Sequence, residues 1–158
     1  MVSDREDFFR DVYPALRRFA AVVADLDVEP DELVQDALTG FLSIERDTVR
    51  NPLAYLRRAI LHASIRERAR RTGQRHAQRA LRDAHRGPML PDYPTSARAI
   101  VELVAPRDRA LLFLLDVERK RVGDAAEVLG ITPVVARARA SRARRALRQH
   151  FHEEDMDS

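Results

Sequence analysis

Arginine is concentrated in one segment of this chain, from Ala125 to Leu147, which reads AAEVLGITPVVARARASRARRAL. The planar guanidinium group of arginine can bridge phosphates, and it can donate two hydrogen bonds to the O6 and N7 atoms of a guanine. Lys120 is the only lysine, so part of the arginine content can reflect a GC-rich coding sequence. The positions of the arginines, and not their number, must therefore decide whether they bind nucleic acid.

A turn between Gly130 and Pro133 interrupts this segment. Gly130 follows Leu129, where a helix commonly ends on a residue in the left-handed region, which glycine enters without steric cost. Thr132 and Pro133 are a strong cap and first-turn pair for a new helix. The pattern predicts a helix-turn-helix, the motif that places its second helix in the major groove of DNA.

The second helix of this motif has an apolar stripe at helical spacing, formed by Ala136, Ala140, Ala143, Leu147 and Phe151. Two flanks remain outside the stripe. One carries Arg137, Ser141, Arg144 and Arg148, and the other carries Arg139, Arg142 and Arg145. Such a helix is suited to bind in a groove of duplex DNA, which is lined with phosphates. The alternative interpretation is that the arginines form a solvated face without a binding role.

Three helices are predicted before this motif, from Arg5 to about Asp25, from Pro30 onward, and from Pro52 to Arg71 with Asn51 as its cap. Apolar residues at helical spacing predict one small bundle. The second helix presents Asp31, Glu32, Gln35 and Asp36 on its polar face. The third leaves Arg57, Arg58, His62 and Arg66 outside its apolar stripe.

Composition changes after Arg71. Residues 72–96 contain few large apolar residues and predict a linker, with at most a weak basic helix in its first half. Four short helical segments follow, at about 97–104, 106–118, 122–129 and 133–149. We therefore predict an all-α chain of two small helical bundles joined by a flexible linker: residues 1–71, linker 72–96, residues 97–152 and an acidic tail 153–158. The linker gives the two bundles few reasons to hold one geometry.

Several function classes are excluded or disfavoured. The chain has no cysteine, no phosphate-cradling glycine loop and no His-Glu-x-x-His spacing, so we expect no enzyme, no cofactor and no metal site. His150, His152 and Glu153 could bind a metal, although a solvated tail is the better interpretation. No apolar run or signal sequence is present, which predicts a cytoplasmic protein. The pI of 9.9 indicates a polyanionic partner.

The stretch VGDAAEVLGITPVVARARASRARRAL resembles region 4.2 of bacterial RNA polymerase sigma factors, sigma-70 family, of the extracytoplasmic-function group, and APRDRALLFLLDVE resembles the segment before it. The front half agrees independently. DELVQDAL is similar to region 2.2 of these factors, and NPLAYLRRAILHASIRERARR is similar to regions 2.3 and 2.4. Two half-matches in the order of the family are more specific than either alone.

The resemblance implies a transcription initiation factor that binds core RNA polymerase and promoter DNA, with an anti-sigma factor as a candidate further partner. Carried over by position, the polymerase-binding residues are Glu32, Gln35 and Asp36, and the -10 face is Tyr55, Arg58, His62 and Arg66. The residues implied to read the -35 element are Arg137, Ala138, Ser141 and Arg142, with Arg139, Arg144, Arg145 and Arg148 assigned to phosphates or surface. His62 and Arg66 differ from the residues frequent in the family, so the -10 preference is expected to differ.

Two other functions remain open on the sequence. One is a stand-alone helix-turn-helix regulator that dimerises through its N-terminal bundle. The other is a sigma-like protein that has lost promoter opening and only binds other proteins. The acidic face at Glu32, Gln35 and Asp36 favours the sigma factor, because a stand-alone regulator has no need of it.

Overall fold

The computed structural model describes residues 2–82 and 100–156 of the chain. The helices are α1 (Val2–Val23), α2 (Pro30–Leu42), α3 (Pro52–Arg82), α4 (Pro106–Leu112), α5 (Val122–Leu129) and α6 (Pro133–Met156). A single 3-10 turn lies at Arg46–Thr48, a π-helical turn at Phe113–Val117 continues α4, and residues 100–103 are also helical. The described residues contain no strand, which confirms the prediction of an all-α chain.

The first half of the chain is a three-helix bundle. Helices α1, α2 and α3 each contact the other two, and their buried side chains include Phe19, Phe41 and Ile60. The start of α2 is fixed to α1 because the Tyr13 hydroxyl donates a 2.6 Å hydrogen bond to Asp31. Asn51 caps α3 as predicted, since its Oδ1 accepts a 3.1 Å hydrogen bond from the Ala54 amide.

Helix α3 is longer than the sequence predicts. It passes the expected end at Arg71 and continues to Arg82, so the weak basic helix that the sequence allows in the first half of the linker is a direct continuation of α3. Thr72 and Gly73 do not end it, because the strong helix formers alanine, glutamine and arginine dominate the next turns. The Thr72 hydroxyl is accommodated within the helix by a 2.8 Å hydrogen bond to the Arg68 carbonyl. The remainder of the predicted linker, residues 83–96, lies outside the described residues.

Helix α6 also exceeds its predicted length. It runs through Gln149 to Met156, so the first residues of the predicted acidic tail, from Glu153, are helical. Residues 157–158 lie outside the described part of the chain.

The two halves pack against each other around one continuous apolar core. Helix α4 contacts α1 and α3, and α5 contacts α3. At the centre, the Phe19 and Phe113 rings meet edge to face with centroids 6.3 Å apart. The expectation of two bundles without a fixed geometry is therefore wrong. It rested on the composition of the linker, which carries no information about the apolar surface that each bundle presents to the other.

Three arginines cross this interface. Arg109 of α4 donates to the carbonyl oxygens of Val22 at 2.9 Å and Val23 at 2.8 Å, which are among the last carbonyls of α1, and to Asp25 at 3.1 Å. In the opposite direction, Arg58 of α3 donates to the Glu127 and Val128 carbonyls at the end of α5. The last carbonyls of a helix lack partners within the helix, and they form the negative end of its dipole. Each half therefore caps a helix of the other.

The third arginine is buried. Arg57 donates through Nη2 to both carboxylate oxygens of Glu118 at 2.7 Å, and the two side chains are 5% and 16% exposed. Its guanidinium also stacks 5.6 Å from the centre of the Phe19 ring. The sequence places Arg57 outside the apolar stripe of its helix, and the structure shows that its partner there is Glu118 in the second half of the same chain.

We predict that Arg109→Ala lowers the free energy of unfolding by about 3 kcal/mol or more, because it leaves the carbonyls of α1 and the Asp25 carboxylate unpaired in a buried place. Arg109→Lys retains the charge but loses the planar set of N–H donors, so its free energy of unfolding should lie between those of the unchanged protein and Arg109→Ala. Urea unfolding checks both. Arg107→Ala, which removes an exposed arginine of the same helix, is the control and should change stability by less than about 0.5 kcal/mol. Equal stability of the Arg107→Ala and Arg109→Ala proteins would contradict this account.

Candidate nucleic-acid interface

The turn between α5 and α6 has the geometry that the sequence predicts. Gly130 has φ 67° and ψ 35°, in the left-handed region, and its amide donates to the Glu127 carbonyl at 3.2 Å. The next amide, of Ile131, donates to the Ala126 carbonyl at 3.1 Å. Thr132 then caps α6, because its hydroxyl oxygen accepts a hydrogen bond from the Val135 amide at 3.3 Å. The helix-turn-helix prediction is thus confirmed in its backbone geometry.

The alanine stripe of α6 fixes which face of that helix is free. Ala136, Ala140 and Ala143 are buried, and their small size lets α6 lie close to α4 and α5. Leu147 is half-buried. Phe151 was predicted to continue the stripe, but its side chain is 37% exposed, because α6 has by then run past the helices that cover its first turns.

The free face carries most of the residues assigned to DNA reading. Arg137, Ala138, Ser141, Arg142 and Arg145 are exposed, and so is Arg148. Arg137, Arg142 and Arg145 form no ion pair with any residue of the described chain. Their charges are therefore available to an external anion.

Two other arginines of α6 already have partners within the protein. Arg139 donates to Asp108 of α4 at 2.9 Å, and Arg144 donates to both oxygens of Asp116 at 2.6 and 3.0 Å. Both had been assigned to phosphates or surface from the sequence. These two ion pairs fasten α6 to α4 and to the π-helical turn behind it, which sets the direction of the free face.

Two exposed valines at the start of α6 were not among the predicted site residues. Val134 is 72% exposed and Val135 is 42% exposed. At 100° per residue, Val134 lies on the same face as Ala138, Ser141 and Arg145, opposite the buried alanines. The signal was present in the sequence, because Val134 falls outside the apolar stripe that the spacing of the alanines defines.

The residues of the predicted -10 face are brought together on α3, but not all of them are free. Tyr55 is 37% exposed and rests against Phe41, with ring centroids 5.7 Å apart. His62 and Arg66 are exposed. Arg58 is not free, because its guanidinium donates to the carbonyls at the end of α5, at 3.1 Å for the bond from Nε to Val128.

His62 lies among cations. Desolvation, followed by the charges of Arg107, Arg58 and Arg66, lowers the pKa of His62 below its ordinary value of 6.5. The imidazole is therefore neutral at pH 7. A neutral ring suits stacking on a base better than it suits pairing with a phosphate.

Two of the three predicted polymerase-binding residues line a groove that Arg66 of the -10 face also lines. Glu32, Gln35 and Asp36 are exposed on α2. Glu32 and Asp36 line a groove of about 390 Å³ between α2 and α3, together with Arg66 and Arg70 from the α3 side. The acidic side chains of α2 and the cations of α3 thus form adjacent surfaces of opposite charge.

The structure offers few other sites. Among the described residues, no group of three or more histidine, aspartate and glutamate side chains could hold a metal ion. No helix of the described chain combines the length and apolarity needed to cross a bilayer.

Comparison with solved structures gives one match across both halves of the chain. It is the sigma factor RpoE from Bartonella quintana, solved in complex with the anti-sigma factor NepR, with a TM-score of 0.65 and 24% sequence identity. The alignment covers 94% of this chain and 97% of that one. This chain has the fold of that sigma factor. No family model matches the sequence, and no curated protein matches it.

We predict that Arg144 stabilises the folded chain through its ion pair, whereas Arg137 does not contribute to stability. The ion pair with Arg144 lowers the pKa of Asp116 below its ordinary value of 3.8, so it contributes stability above that pH and loses it as the pH falls through the lowered value. Arg144→Ala should lower the free energy of unfolding at pH 7 by less than about 1 kcal/mol, because both side chains are partly exposed.

Urea unfolding at pH 7 and pH 2 checks this prediction. The difference between Arg144→Ala and the unchanged protein should be smaller at pH 2 than at pH 7, because falling pH favours the protonated Asp116 carboxyl, which no longer pairs with Arg144. Arg137→Ala is the matched control and should leave stability unchanged at both pH values. A loss from Arg144→Ala that is the same at both pH values would refute the assignment to Asp116.

Proposed function

We propose that this chain is a sigma factor of the extracytoplasmic-function type, which binds core RNA polymerase, directs it to promoters and promotes transcription initiation. The observation that carries the proposal is the free face of α6. It joins arginines that form no ion pair among the described residues to a capped helix whose outer face lies exposed opposite the buried alanines. It does so in a chain whose fold matches that of a sigma factor.

At the -35 element, α6 enters the major groove. Arg137 and Arg142 contact guanine edges or phosphates, and Arg145 binds a phosphate. Ala138 and Ser141 are short, so they let the helix backbone approach the base edges. Val134 adds two methyl groups at the leading end of the same face, where a thymine methyl is the complementary feature of the groove. Arg139 and Arg144 take a positioning role through Asp108 and Asp116.

At the -10 element, the exposed strand lies along α3. Tyr55 and neutral His62 offer stacking surfaces, while Arg66 binds the backbone. Arg58 joins them only when its guanidinium leaves the end of α5. Glu32, Gln35 and Asp36 bind core polymerase. Glu32 and Asp36 do so from the wall of the α2–α3 groove that faces Arg66, so that polymerase and promoter strand lie side by side.

We expect purified chain to produce specific run-off transcripts from genomic fragments only when core RNA polymerase is also present. The double variant Arg137→Ala/Arg142→Ala should reduce these transcripts at least tenfold, because each bidentate contact contributes about 1–3 kcal/mol of discrimination. Arg5→Ala/Arg18→Ala removes two exposed arginines of α1 and should leave transcription unchanged.

A second variant separates the sigma factor from a stand-alone helix-turn-helix regulator. Glu32→Ala/Gln35→Ala/Asp36→Ala should abolish co-purification with core polymerase, whereas Glu45→Ala/Asp47→Ala, which removes two exposed carboxylates elsewhere, should not. Tight sequence-specific DNA binding by the chain alone, with no transcript when core is added, would favour the stand-alone regulator and reject the proposal.

A further inference from the structure

Arg119, in the turn before α5, has a backbone conformation that is unusual for its residue type. Its φ of 56° lies in the left-handed region, where the Cβ of a non-glycine residue is disfavoured. The turn imposes this conformation, because the next amide, of Lys120, donates to the Leu114 carbonyl at 2.8 Å. Glycine is the residue that most often ends a helix in this way. An arginine here therefore costs stability that a glycine would not.

The charge of Arg119 is not used within the protein. Arg119 is exposed and forms no ion pair within residues 2–82 and 100–156. The two carboxylates nearest to it in the sequence are already occupied. Asp116 pairs with Arg144, and Glu118 pairs with Arg57. The guanidinium of Arg119 is therefore available to an external anion.

The turn that carries Arg119 lies beside one flank of α6. Arg144 donates to both carboxylate oxygens of Asp116, at 2.6 and 3.0 Å, which fixes the turn against the flank that also carries Arg137 and Arg148. The pKa of Asp116 is lowered first by its hydrogen bond with Arg144 and further by the charge of Arg119, so Arg119 lies near that pair. Arg119 thus extends the cationic flank of α6 with a residue from outside that helix.

We propose that Arg119 binds a backbone phosphate of the duplex that α6 enters, and that it positions α6 without reading sequence. A helix about 10–12 Å across fills a major groove about 12 Å wide, so each of its flanks faces a row of phosphates. The row on the side of Arg137 and Arg148 also faces the turn before α5. A phosphate contact explains why this turn carries an arginine where its backbone favours glycine. The inference rests on the proposed function and adds a contact from a segment outside α6.

Charge and backbone strain can be separated at this one position. Arg119→Lys keeps both, Arg119→Ala keeps only the strain, and Arg119→Gly keeps neither. Affinity for promoter DNA should follow the charge, whereas stability should follow the glycine. We therefore expect the unfolding temperature of Arg119→Gly to be about 2 °C above that of the unchanged protein, although this variant should bind DNA as weakly as Arg119→Ala does.

The binding experiment uses holoenzyme, formed from core RNA polymerase and each variant, on a promoter fragment that gives a core-dependent run-off transcript. Affinity is measured from about 50 to about 200 mM KCl. Arg119→Ala and Arg119→Gly should weaken binding at least about threefold. They should also lower the slope of log K against log salt by about one, the value for one lost phosphate contact. Arg119→Lys should stay within about twofold of the unchanged protein, because it keeps the charge.

Lys120→Ala is the matched control. Lys120 is the adjacent cation, but it lines a cleft beside Asn51 and Ala54 at the start of α3. Its removal should change the affinity by less than about twofold, because it takes the same charge from the turn without removing the proposed contact. Substitutions in the -35 sequence of the fragment should weaken the unchanged protein and Arg119→Ala by the same factor, since a phosphate contact carries no sequence information.

Equal affinity and equal salt slope for Arg119→Ala and the unchanged protein would overturn the inference and leave the proposed function intact. Equal losses in Arg119→Ala and Lys120→Ala would also overturn it, because they would reflect only the overall charge of the turn. Weaker co-purification of Arg119→Ala with core polymerase, without a change in the affinity of the holoenzyme for DNA, would assign the residue to polymerase binding instead. Absence of any core-dependent transcript would overturn both the inference and the proposed function.

Discussion

The capping of helix ends by arginines from the opposite half is the constraint on which the rest of the structure depends. A helix end that is buried must find donors for its last carbonyls, and α1 and α5 both end at the interface between the halves. Arg109 supplies the donors for α1, and Arg58 supplies them for α5. Burial lowers the pKa of Arg109, and Asp25 opposes that shift, so the buried cation is retained by its acceptors. Without these hydrogen bonds from Arg109 and Arg58, neither half could bury its helix end against the other.

The same constraint orients the proposed DNA-binding surfaces. Arg139 and Arg144 turn α6 so that its alanines face inward and Arg137, Arg142 and Arg145 face outward. Arginine thus has two roles in this chain, which are distinguished by whether a carboxylate or carbonyl lies within reach. The abundance of arginine in the sequence does not separate these roles, but the positions of the acidic residues on neighbouring helices do.

Local features of the fold were predictable from the sequence, and contacts between distant segments were not. Gly130, Thr132 and Asn51 act through neighbouring backbone atoms, so their types and positions predict the turn and the two caps. Glu118 lies 61 positions from Arg57, and nothing in the spacing of either residue links them. The exposed arginines of α6 were found because they lie outside the alanine stripe. Val134 was overlooked although the same stripe excludes it, and the occupied state of Arg58 depends on the packing of the halves.

Pair-distance measurement by electron spin resonance tests most directly the claim that the two halves of this chain pack in one fixed arrangement. Arg18 of α1 and Gln149 of α6 are exposed and lie outside the proposed sites, so cysteines there can carry the labels in a chain with no other cysteine. The account predicts one narrow distance distribution for the free chain. A broad distribution would contradict it, because two halves joined only by a flexible linker would sample many separations.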